Sequence, residues 1–178
     1  LVSGPGSADF TEPASPATSV TFSAAGSYVL RLSASSALGE TSRTLSVTVA
    51  PPPLSPLESW RVTHFDSAIN SGIGADLADP DADTFPNFLE FALGTLPLSP
   101  DSASQVRLTA SNPALTLTFF RARPSTEVTY EVQASTDLLN WSTIATNPGS
   151  VGSEVSVTTP ATLPASGSRF LHLRVTSP

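Results

Sequence analysis

The chain contains no cysteine, no methionine and no lysine. Without cysteine there can be no disulfide, so the fold has to be held by its core or by a metal ion. All eight basic residues are arginine, against fifteen acidic ones, and the formal charge of −7 provides no basic footprint for nucleic acid. No run of about 18 apolar residues occurs, which excludes a membrane-spanning helix. There are only two histidines, His64 and His172, and neither has a partner at metal-ligand spacing. There is no nucleophile elbow of the G-x-S-x-G kind and no glycine-rich phosphate loop. Together these absences point to a chain that is not an enzyme. A carboxylate pair for glycoside hydrolysis among Asp79, Asp81 and Glu90 would still need a sugar-sized cleft.

What fills the sequence instead is Ser, Thr, Ala and Pro, with 39% hydrophobic and only 13% charged residues. A surface covered by hydroxyls over Val- and Thr-rich strands suits a mainly β fold. The length of 178 residues allows one good core or two small ones. The chain opens at Leu1 with no initiator Met and no apolar signal core, so it is expected to be a piece of a longer precursor.

Period-2 alternation predicts strands over 19–24, 27–35 and 43–50, with a short one near Ala8 to Thr11. Tyr28, Leu30 and Leu32 are expected on one face, and Val29, Arg31 and Ser33 on the other. The prolines of "PPPLSP" (51–56) end the last strand and form a semi-rigid spacer. The pattern then changes period. Ser55, Pro56 and Glu58 make a capping box for a helix of about ten residues, with Leu57, Trp60, Arg61 and His64 on one face. "NFLEFALG" (87–94) predicts a short helix closed by Gly94. Six strands are expected from 106 onward, separated by turns at "NP", "RPST", "TDLLN", "NPGSVGS" and "PATLPASGS". The expected organisation is therefore a partial Ig-like β-sandwich over 1–50 and a proline-rich linker over 51–56. A helical EF-hand-like connector follows over 57–104, and an antiparallel β-sandwich over 105–178 closes the chain.

The stretch "DPDADTFPNFLE" (79–90) carries the candidate site. Numbered from Asp79, carboxylates stand at positions 1, 3 and 5 (Asp79, Asp81, Asp83), Asn87 at 9 and Glu90 at 12, with the Phe85 carbonyl at 7. These are the oxygen-ligand positions of an EF-hand loop. Alternate residues of a tight loop can point inward and offer calcium its hard oxygen ligands. Thr84 stands where that loop needs glycine, and Pro86 where an aliphatic residue is usual. The other reading is an acidic turn, because Asp bonds local amides and favours helix starts. Asp76 is either a further ligand or a loop residue. Trp60 and Trp141 suit core packing, with sugar stacking as the alternative. Asn140-Trp141-Ser142 matches the N-glycosylation sequon.

Four stretches also resemble known domains. The run from "VSGPGSADF" to "GETSRTLSVTV", most specifically "FSAAGSYVLRLSAS", is similar to the latter part of a PKD-type, Ig-like domain of large secreted bacterial proteins, such as those of Verrucomicrobia and Planctomycetes. The segment "LESWRVTHF…NSGIGADLADPDADTFPNFLEFALGTLPLSP" is similar to one near the C-terminus of the same proteins, whose loop resembles dockerin and thrombospondin type 3 calcium loops. In that family glycines occupy the positions of Ala82 and Thr84. "VTYEVQASTDLLNWSTI" and "RFLHLRVTSP" look like the closing β-domain of that family.

The resemblance implies an extracellular or cell-surface location and no defined activity. An Ig-like sandwich needs about seven strands, so the partial one is expected to accept a strand from a neighbouring copy. The expected function is a calcium-braced stalk, adhesin or self-assembling filament subunit. The alternative is a C-terminal spacer, sorting or anchoring region of a large secreted enzyme or carbohydrate-binding protein. The expected partners are copies of the chain itself or the upstream part of its precursor. Carbohydrate is a weaker candidate.

Overall fold

A computed structural model describes residues 1–100, 105–111, 114–159 and 168–178. The turns expected at 112–113 and over 160–167 lie outside the described residues. The chain is mainly β, and its described residues form four antiparallel sheets and two α-helices. It divides into two compact units, 1–53 and 54–178, so the boundary falls inside the proline run.

The first unit holds β1 (Ala8–Phe10), β2 (Val20–Phe22), β3 (Gly26–Ser36) and β4 (Gly39–Val49). β1 pairs with β2, and β3 pairs with β4 over eleven residues each. Tyr28 is the centre of the unit. It is fully buried, packs on Phe22 and donates its hydroxyl to the Ala24 carbonyl at 2.7 Å. The "SGPG" stretch lies over its ring so closely that a Cβ on Gly4 would sit 2.2 Å from Tyr28 Cδ1. Only Gly fits there. Of the three residues expected on the apolar face, Tyr28 and Leu30 are buried while Leu32 is 74% exposed. The hairpin extends beyond the part of the unit that can cover it.

The second unit begins with α1 (Pro56–Phe65), whose N-terminus carries the expected reciprocal capping box between Ser55 and Glu58. A single 3-10 turn follows at Gly72–Gly74, and then α2 (Asn87–Leu93), closed by Gly94 in the left-handed region. The six strands are β5 (Val106–Ser111), β6 (Ala114–Arg121), β7 (Thr129–Ser135), β8 (Ser142–Thr146), β9 (Ser153–Thr158) and β10 (Phe170–Thr176). They form two three-stranded sheets, β5-β6-β9 and β10-β7-β8. Phe119 of β6 stacks on Tyr130 of β7 at 5.9 Å, so the inner faces of the sheets meet in a sandwich-like core.

The helices of the expected connector share that core. Trp60, Phe91 and Leu93 cluster with Leu117, Phe119, Tyr130, Val132 and Val155, and the Tyr130 hydroxyl donates to the Ala92 carbonyl at the end of α2. Each large side chain buried in this way contributes about 1.5–3 kcal/mol. Residues 79–90 are therefore mounted on a packed body.

Candidate functional site

The candidate loop is anchored at both ends. Upstream, Arg61 of α1 is buried and ion-pairs with Asp76, while Asn70 and Asp76 exchange two hydrogen bonds of 2.8 Å. Asp76 is thus the partner of a buried arginine. Downstream, the Asn87 side-chain amide donates to the carbonyls of Ile73 and Ala75 at 2.8 and 2.7 Å. The Asn87 and Phe88 backbone amides donate to Ala78 and Asp76. The segment 70–78 is stitched to α1 on one side and to the first turn of α2 on the other.

Between these anchors Asp79, Asp81 and Asp83 turn toward one another, with ligand oxygens within 4.8 Å. The backbone reaches this geometry through positive φ at Ala82 (61°) and Thr84 (80°). Loop amides hold the carboxylates. Asp79 accepts from the amides of Asp83 and Thr84, and Asp83 accepts from Phe85. Burial, together with the charges of Asp83 and Asp79, pushes the Asp81 carboxyl above its ordinary value, and the hydrogen bond from the Asp83 amide only partly opposes this.

The other candidate residues lie differently. Glu90 is fully buried and its Oε1 accepts from Thr95 at 3.3 Å, and it does not join the three-aspartate group. Asn87 is 1% exposed, with its nitrogen spent on the two carbonyls. Phe85 donates its amide to Asp83, and its side chain packs against the core cluster. The three aspartates offer only oxygen donors, the kind a hard cation takes. Asp81 Oδ2 and Asn87 Oδ1 are buried oxygens with no hydrogen-bond partner among the described residues, and buried oxygens of this kind call for a donor or a cation.

The sequence reading missed the Arg61–Asp76–Asn70 support. The signal for it was an arginine within an apolar helix stripe, since a buried guanidinium requires an anion. Of the two tryptophans, Trp60 joins the core. Trp141 does not. Its ring stacks on His172 at 3.9 Å and 12°, and His172 in turn bonds Gln133 at 2.9 Å. Among the described residues no helix is long and apolar enough to cross a membrane.

Comparison with family models, with curated proteins and with solved structures found no match to this chain.

Proposed function

We propose that the chain is a non-catalytic structural module of an extracellular protein, that a calcium ion held by the Asp79–Asp81–Asp83 loop braces its second unit, and that it associates with neighbouring copies. The observation that carries this reading is the convergence of three carboxylates on a loop tied to α1 through Asp76 and to α2 through Asn87. Bringing three carboxylates together without a cation is unfavourable, and Asp81 is raised first by its burial and then by the charges of Asp83 and Asp79 beside it. A divalent cation reverses the sign of the interaction. Because the cage exists only in the folded chain, binding adds directly to stability. The absence of cysteine makes an ion a suitable substitute for a covalent staple.

The test is thermal unfolding of the wild type and of Asp81→Asn, in calcium and in chelator. For wild type, free calcium at about 100 times its Kd adds about 2.7 kcal/mol and raises Tm. Asp81→Asn should melt above wild type in chelator, since it removes one of three repelling charges, and should lose most of the calcium response. The sign follows from linkage. A carboxyl whose folded pKa is raised favours the folded state when protonated, so its ionised form costs stability above that pKa. A wild-type Tm that calcium leaves unchanged would reject the ion.

A further inference from the structure

We infer that the β3–β4 hairpin of one copy docks on the open side of the β-sandwich of a second copy and adds its strands there. This rests on the proposed association between copies, and it names the two surfaces. On the acceptor, β5 and β10 are the edge strands of their respective sheets among the described residues. Between them opens a cleft of about 520 Å³, lined by Phe85, Leu89, Val106, Leu117 and Leu171, with Asp83 also on its wall. The cleft has the size of a ligand pocket, but its position between two sheet edges suits side chains from an added strand. Asp83 brings with it the negative charge of Asp79 and Asp81.

The donor carries the complementary pattern. Among the described residues β4 pairs only with β3, and every residue from 31 to 46 is exposed. Leu30 stands opposite Leu45, and Leu32 opposite Arg43, and residues directly opposite in an antiparallel pair share a face. That face therefore presents Leu32 and Leu45, 74% and 61% exposed, with Arg43 beside them. The two leucines match the apolar floor of the cleft, and Arg43 matches the aspartate wall. Charge complementarity of this kind fixes partner and register. Donor and acceptor are different surfaces, so the contact is heterologous and propagates from copy to copy.

The test is sedimentation of the full chain in chelator, so that calcium and Arg43 do not compete for Asp83. Leu32→Asp/Leu45→Asp disables the donor and leaves the acceptor. Leu171→Asp disables the acceptor, and Asp83→Arg is a second acceptor variant that leaves the apolar interior untouched. Alone, each should associate at least about tenfold more weakly than wild type, the equivalent of about 1.4 kcal/mol. Mixed in equal amounts, a donor variant and an acceptor variant should form 1:1 dimers that grow no further. A mixture that stays monomeric, or a donor variant that associates like wild type, overturns the inference while leaving association itself standing. A wild type that is monomeric at every concentration overturns both, and leaves the calcium reading to its own test.

Discussion

Asp76 and Asp137 each hold a segment in place by accepting hydrogen bonds, but they answer to different tests. Asp76 pairs with Arg61, which is only 5% exposed. Asp76→Ala leaves that guanidinium without its anion. Removing one partner of a fully buried pair costs about 3–5 kcal/mol. Because Asp76 is one-third exposed, water recovers part of this, and a loss of about 2 kcal/mol in urea unfolding is expected. Asp137 caps the β7–β8 turn by accepting from the amides of Asn140 and Leu139 and from the Asn140 side chain. These bonds, the Asn140 amide first, hold its carboxyl well below the usual carboxylate range. Its contribution to stability is then fully present above the unfolded value of about 3.9 and is lost as pH falls from there toward the folded value. Asp137→Asn should lower Tm at pH 7 and flatten its fall between about pH 4 and 2. A parallel shift of the whole curve would show that the carboxylate has no special part in the turn.

At the level of elements, the loop 79–90 adopts the turn for which its sequence is least suited. Thr84 is β-branched yet sits at φ 80°, a conformation that costs a non-glycine residue about 1–2 kcal/mol. Thr84→Gly should therefore raise calcium affinity, read by isothermal titration, without lowering Tm in chelator. Weaker binding in this variant would mean that the threonine side chain itself supports the site.

The sequence made much of this element structure legible, because local signals decide it. The Ser55–Glu58 box starts α1, Gly94 ends α2, and two-residue alternation marks the strands within a residue or two, except that β4 begins at Gly39, four residues before the alternation predicts. Long-range choices were not legible. Nothing local says that β6 pairs with β9 and β7 with β10, that Arg121 reaches the carbonyls of Asn147, Pro148 and Gly149, or that Asn87 spends its amide on the 3-10 turn. The three aspartates were legible as a group because alternation along a turning loop gathers them. Glu90 was not, because its environment is made by α2 and Thr95.

At the scale of the molecule, the two units have unequal means of support. In the first, only Tyr28 and Leu30 are buried, whereas the second assembles helices and both sheets around one cluster. Scanning calorimetry should resolve two transitions, the lower one from residues 1–53, and calcium should move only the upper one. A single transition shifted as a whole by calcium would mean that the units unfold together. The order of strands within the second unit also carries a consequence in time. β7 sits at the centre of its sheet, and one of its two neighbours is β10, some forty residues further along the chain. Leu171, Leu173 and Val175 of that strand pack against the shared core. A chain emerging from a ribosome cannot close this sheet until Thr176 has been made, so the second unit stays open through nearly the whole of its synthesis.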